Sequence, residues 1–142
     1  MRKIEGLDCI LLVDDDSATN FIHKRTIDKA KLDCRVEICE SAQQGLDFLT
    51  CSGKYTYNTF YPQAGIIFLD INMPGMSGWD FLKKYAALEK KTQNKVVISM
   101  LTTSLNPADE KKASTFPEIK AFFNKPLTIG TLNDLIVRHF EC

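Results

Sequence analysis

The 142-residue chain has no excess of charge of either sign, with Lys plus Arg and Asp plus Glu at 18 each. No overall field draws it to nucleic acid or to an anionic membrane, so such binding would need a local patch. It also lacks an apolar run of spanning length. Its start, Met1-Arg2-Lys3-Ile4-Glu5-Gly6, is charged but has no apolar stretch long enough for a signal peptide. A cytoplasmic location, with no membrane partner and no direct nucleic acid partner, is the expectation. Close CxxC pairs, on which a zinc site or a dithiol redox motif depends, are missing as well. The five cysteines, Cys9, Cys34, Cys39, Cys51 and Cys142, are read as packed thiols, with terminal Cys142 exposed. Internal repeats, low-complexity tracts and linkers are absent, so nothing signals an attached output module.

What is present is the balance of a globular protein, 44% apolar and 25% charged, at the length of one ordinary domain. A single domain over 1–142 is expected, with its core at about 8–140. Cys9 to Val13, Gly65 to Leu69 and Val96 to Leu101 are nearly unbroken apolar runs, the pattern of strands covered on both faces. Arg35 to Cys39 alternates polar with apolar and reads as an edge strand. Ala121-Phe122-Phe123 is short and lies close before a proline, which makes a second edge.

Between the strands the period becomes helical. Ala18, Phe21 and Ile22 begin one helix after Asp16-Ser17, and Ala42, Leu46 and Leu49 mark another after Ser41. Phe81, Leu82, Tyr85 and Leu88 define a third. Asn106 as cap, Pro107 at the first turn, and Asp109 and Glu110 against the dipole open a fourth. Leu132, Leu135, Ile136 and Phe140 define the fifth. Five βα units in a row predict a doubly wound α/β fold, a five-stranded parallel sheet with helices on both faces. In the order 2-1-3-4-5, ligands would bind where the first and third strands diverge, at their carboxyl ends.

Asp14-Asp15-Asp16 follows the first strand, and Asp70-Ile71-Asn72-Met73-Pro74-Gly75 follows the third. Two unit charges about 4 Å apart repel by about 4 kcal/mol at intermediate dielectric, so acids gathered there call for a compensating cation. A hard dication with oxygen ligands, such as Mg²⁺, answers that need and also binds phosphate oxygens. Capping of the first helix, the plainer use of such a run, needs only Asp16 or Ser17. Leu101-Thr102-Thr103-Ser104 and Asn124-Lys125-Pro126-Leu127 end the fourth and fifth strands at the same edge. A hydroxyl and an ammonium there can stabilise charge on a phosphoryl group.

The ordered set VDDD, LDINMPGMSG, LTTS and NKP resembles the bacterial response-regulator receiver domain over nearly the whole chain. The resemblance implies a flavodoxin-like version of the doubly wound sheet and a two-component phosphorelay function. It implies that Asp70 is the phosphoacceptor, taking a phosphoryl group from a sensor histidine kinase or phosphotransfer protein and passing the signal to a downstream protein target. It further implies Mg²⁺ held by Asp14, Asp15 and Asp70 with the Asn72 backbone carbonyl. Thr102 would be the switch hydroxyl, Lys125 the partner of the phosphoryl group, and Lys125-Pro126 a cis bond. Phe122 aligns with the second switch position, although packing as an ordinary core phenylalanine is an equal reading.

Such a domain assists its own phosphorylation and dephosphorylation and is not a classical enzyme. Thr103 departs from the small residue usual after the switch hydroxyl, which narrows access to the site. The segment 51–64, with Tyr55, Tyr57, Phe60 and Tyr61, is longer than usual and is expected to pack over the second helix, with partner docking as the alternative. His23 and His139, on helices remote from the crevice, are read as ordinary surface or partly buried residues. Two other functions remain. A Mg²⁺-dependent aspartyl-phosphate phosphohydrolase would carry a second Asp where Asn72 stands, and a degenerate receiver acting as a protein-binding adaptor would have no Mg²⁺ affinity.

Overall fold

The computed structural model describes residues 1–56, 64–88, 96–103 and 106–141. The three apolar runs form the middle of a sheet, as strands β1 (Cys9–Val13), β3 (Ile66–Asp70) and β4 (Val97–Thr102), buried along their whole length. The mixed segments form the half-exposed edges, β2 (Arg35–Cys39) and β5 (Ile119–Asn124). The order is β2-β1-β3-β4-β5, every neighbouring pair parallel. Several strand boundaries differ from the sequence reading. Asp70 and Thr102 close β3 and β4 rather than follow them. β5 begins two residues early, at Ile119, because an edge strand tolerates a polar residue such as Lys120.

Five α-helices occur among the described residues: α1 (Ser17–Lys29), α2 (Ala42–Thr50), α3 (Gly78–Ala86), α4 (Pro107–Ala113) and α5 (Ile129–His139). Side chains alternate across each strand, so the sheet builds two cores. On one face Leu11, Val13, Ile67, Leu69, Ile98 and Met100 join an apolar cluster with residues of α2 and α3 such as Phe48, Phe81 and Tyr85. On the other, Ile10, Leu12, Ile66, Phe68 and Leu101 do the same with Ile27 of α1 and Leu132, Leu135 and Ile136 of α5. The expected caps form: Asp16 accepts from the Ala18 N–H, Ser41 from that of Gln44, and Asn106 from that of Asp109. Ser77 and Asp80 add a reciprocal capping box on α3.

The face of α1 corrects the sequence reading. Phe21 and Ile22, read as the start of its apolar stripe, are 62% and 51% exposed, and the buried residues are Asn20, His23 and Ile27. The helix is as expected but turned, because its inner face near the carboxyl edge of the sheet meets polar backbone rather than a hydrocarbon core. Cys9 and Cys39 are packed thiols, whereas Cys51 is exposed at the end of α2, where its backbone turns left-handed, φ 55°. Cys142 lies outside the described residues.

Of the long segment, Tyr55 packs edge-on against Phe48 of α2 with ring centroids 5.1 Å apart, and its hydroxyl donates to Glu37 at 2.9 Å. Tyr57, Phe60 and Tyr61 lie outside the described residues.

Gly78 opens α3 directly behind the end of β3, with its N–H donating to the Ile71 carbonyl at 2.8 Å. A Cβ there would stand 2.4 Å from the Asp70 carbonyl oxygen and 3.0 Å from the Ile71 Cα, both backbone atoms that cannot step aside. Gly78→Ala is therefore expected to destabilise the fold by about 3 kcal/mol, the upper range for overpacking, despite alanine's better helix propensity. A urea titration reads this as a lower midpoint, and an unchanged midpoint would show that β3 and α3 can separate freely.

Candidate functional site

The parallel sheet brings the carboxyl ends of β1, β3, β4 and β5 to one edge, where Asp14, Asp70, Thr102 and Lys125 emerge. The Lys125 Nζ lies 2.7 Å from Asp14 Oδ2 and 3.0 Å from Asp70 Oδ1, with all three side chains largely buried. Asp14 is 4% exposed and Asp70 7%, whereas Asp15 is open to solvent. Asp14, Asp15 and Asp70 each offer a carboxylate oxygen, and these lie within 4.8 Å of one another. With all three ionised, three carboxylates meet one ammonium, that of Lys125, among the described residues, and two negative charges remain. An all-oxygen donor set with that excess fits a hard dication such as Mg²⁺.

Local bonds hold these groups in place. The Asp14 N–H donates to the Cys39 carbonyl at 3.1 Å, locking the end of β1 to β2. Asp14 Oδ1 accepts from the Asp16 N–H at 2.9 Å, which orients the carboxylate toward the sheet edge. Thr102 is buried, and its carbonyl accepts from the Lys125 N–H at 2.7 Å, so β4 places the lysine. The Lys125-Pro126 bond is cis, as expected.

Burial raises the Asp70 carboxyl above the ordinary carboxylate range. Its hydrogen bond to Lys125 opposes that rise, and the charges of Asp14 and Asp15 add to it. For Lys125, burial works to lower the ammonium, but the hydrogen bonds to Asp14 and Asp70 outweigh it and the net shift is upward. A carboxyl group whose ionisation burial opposes thus sits beside an ammonium whose charge its partners favour.

Asn72 lies two residues beyond β3 and is exposed, as is Thr103 beside Thr102. The turn between β3 and α3 depends on Gly75, whose φ of +78° suits a residue without a side chain. Phe122, opposite Met100 in the β4–β5 register, is half-buried against the α2–α3 core. Ser104 falls outside the described residues.

The sequence reading passed over Asn20 and placed His23 away from the crevice, and both are buried polar residues beside it. Asn20 Nδ2 donates to the Asp14 carbonyl at 2.8 Å, and His23 Nε2 accepts from the Leu127 N–H at 3.2 Å. His23 is therefore neither at the surface nor remote from the crevice. It lies 2% exposed beneath the loop that carries Lys125. Its spacing with Asn20 and Ile27, at intervals of a helical face, is the one signal that could have found it.

Residues 10–137 match the family described as Response regulator receiver domain. No curated protein matches the chain. Among solved structures, a two-component response regulator from Cytophaga hutchinsonii is similar at 30% identity and a TM-score of 0.79, over 96% of this chain and 97% of that one. A response regulator receiver protein from Dyadobacter fermentans is 26% identical with a TM-score of 0.78, over 92% of this chain and 95% of that one. The chemotaxis protein CheY4 of Vibrio cholerae, 22% identical with a TM-score of 0.73 over 94% and 99% of the two chains, bears on the fold alone.

Proposed function

Because the chain belongs to the response regulator receiver family, the signalling phosphoacceptors of two-component systems, we propose that Asp70 takes up the phosphoryl group, in a Mg²⁺-dependent reaction. The observation that carries this is the Lys125 ammonium shared between Asp14 and Asp70, with the Asp15 carboxylate at the same mouth. The donor is a phosphohistidine on a sensor kinase or a phosphotransfer protein. An Asp70 carboxylate oxygen attacks phosphorus, the P–N bond breaks, and the imidazole nitrogen leaves with the bonding electron pair and is then protonated.

Asp14, Asp15, Asp70 and the Asn72 carbonyl would hold Mg²⁺, whose chemistry there is to screen and orient phosphoryl oxygens. Lys125 trades part of its pairing with Asp70 for a new phosphoryl oxygen. The Thr102 hydroxyl donates to another, and both interactions strengthen as charge moves onto those oxygens. Thr103, exposed beside Thr102, narrows the approach of water and so influences how long the acyl phosphate lasts.

The added charge draws Thr102 toward Asp70, which vacates space next to β5, and Phe122 is the side chain positioned to respond. The surface of α4, β5 and α5 then changes for a protein target. No helix among the described residues is long and apolar enough to cross a membrane.

Incubation with Mg²⁺ and a small phosphodonor such as acetyl phosphate is expected to add one phosphoryl group to the intact protein, by mass spectrometry. The adduct should be labile to hydroxylamine and absent when EDTA replaces Mg²⁺. An unchanged mass in Mg²⁺ would refute the assignment.

A further inference from the structure

We propose that His23 is a positioning residue for Lys125, holding the loop after β5 through the backbone N–H of Leu127. The proposal rests on the role given to Lys125 above. A lysine reaches its partners on a flexible four-carbon stem, so the range of its ammonium depends on where its backbone is fixed. One side of that backbone is fixed by the Lys125 N–H bond to Thr102 of β4, at 2.7 Å. The other is fixed two residues on, by the 3.2 Å bond from Leu127 to His23 Nε2. Leu127 and His23 are 3% and 2% exposed, so no bulk water can take over that donor if the imidazole is removed.

The same face of α1 reaches the other partner of the ion pair, since Asn20, one turn earlier, donates to the Asp14 carbonyl at 2.8 Å. One helix face thus holds the main chain at both ends of the Asp14–Lys125 contact. Asn20 Oδ1 has no hydrogen-bond partner among the described residues, and polar atoms so buried are costly. Leucine at both positions would remove that cost but leave the Asp14 carbonyl and the Leu127 N–H without these partners, so the pair is explained by what it holds rather than by packing.

For Nε2 to accept an N–H, the imidazole must be neutral with its proton on Nδ1. Burial favours that form, as does Lys125 from the loop after β5, while Asp14 at the end of β1 opposes it; the net shift is downward. Protonation would set two donors against each other and release the loop. Since the folded-state value lies below the ordinary histidine value of 6.5, the bond contributes fully above that value and is lost as pH falls through the lowered one.

The test follows phosphoryl uptake from acetyl phosphate at saturating Mg²⁺ in the parent protein, His23→Leu and His23→Gln, between about pH 5 and 8. At neutral pH the Leu variant is expected to react about tenfold more slowly, the scale of a small misplacement of a charged group. Gln, whose Oε1 can accept the same N–H, should recover most of that loss, and its rate should lack the parent's fall through the histidine range. Mg²⁺ affinity should not fall in either variant, whereas a merely loosened pocket would lose it. Should the Leu variant not fold, ¹⁵N shifts of the His23 ring in the parent protein decide, with Nε2 unprotonated at neutral pH.

Equal rates and pH profiles in all three proteins, loss of Mg²⁺ affinity in step with rate, or a protonated Nε2 would each overturn the inference while leaving Asp70 its role. A parent protein that takes up no phosphoryl group would overturn both.

Discussion

Asp70→Asn is expected to abolish phosphoryl uptake and, in metal-free buffer at neutral pH, to melt at a higher temperature than the parent protein. The first half follows from chemistry, since a carboxamide is too weak a nucleophile to form the acyl phosphate. The second follows from electrostatics. Burial, together with Asp14 and Asp15, raises the Asp70 carboxyl by more than Lys125 lowers it, so the folded state carries a net penalty when Asp70 ionises. Between the ordinary carboxylate value of 3.8 and the raised one the folded state binds more protons than the unfolded state. Stability therefore falls as pH rises through that window, and the deficit persists at neutral pH. Asparagine cannot ionise and escapes the penalty. Below the ordinary value both proteins are neutral at this position, and the difference should vanish.

Thermal melts in EDTA at neutral and acid pH measure this, beside intact mass after phosphodonor treatment. Added Mg²⁺ should narrow or reverse the gap, because the parent protein binds the ion with one more carboxylate. An asparagine variant that melts lower than the parent in EDTA, or that still acquires the adduct, would contradict the assignment of Asp70.

The sheet is legible in the sequence because its three central strands are continuous apolar runs, a pattern that only burial on both faces explains. Asp14, Asp15, Asp70, Thr102 and Lys125 are legible because they follow or end β1, β3, β4 and the edge strand β5 in order, so that strand order alone gathers them. Their pairing is another matter. Lys125 and Asp14 are 111 residues apart, and whether the ammonium bridges both acids or turns to solvent depends on where the loop after β5 is tied.

That tie is what hydrophobic patterning misses. Phe21 and Ile22 hold the hydrophobicity of α1, but they face water, while Asn20 and His23 face in. A periodicity argument assumes that the inward face is the apolar one. Beneath a pocket, the inward face instead meets the Asp14 carbonyl and the Leu127 N–H, and those demand polar partners. The exposed Cys51 escapes the packing rule for a similar local reason, because it stands where α2 ends in a left-handed turn.

Lys125→Met should have the opposite effect on stability. Methionine keeps the length of the stem but removes the ammonium that pairs with both acids, leaving Asp14 and Asp70 facing each other largely buried. Breaking a buried ion pair from one side costs about 3–5 kcal/mol, because the surviving charge keeps its desolvation penalty and loses its compensation. Both influences of Lys125 that lower the Asp70 carboxyl disappear in the variant, so that group moves further up and its ionisation costs more. The deficit against the parent protein should therefore be largest at neutral pH and shrink as acid protonates Asp70. Mg²⁺ should raise the melting temperature of the variant more than that of the parent, since the ion then supplies the missing positive charge.

Phosphoryl uptake by the Met variant should slow by about 10²-fold without disappearing, the scale on which one charge-stabilising group contributes to such a transition state. Melting curves with EDTA and with Mg²⁺, set beside uptake rates, separate the two substitutions. Removing the negative charge of Asp70 stabilises the empty pocket and ends the chemistry, whereas removing the positive charge of Lys125 destabilises the pocket and only slows the chemistry. A Met variant as stable as the parent at neutral pH in EDTA would mean that the two acids tolerate each other without Lys125, and that the lysine serves the phosphorylated state alone.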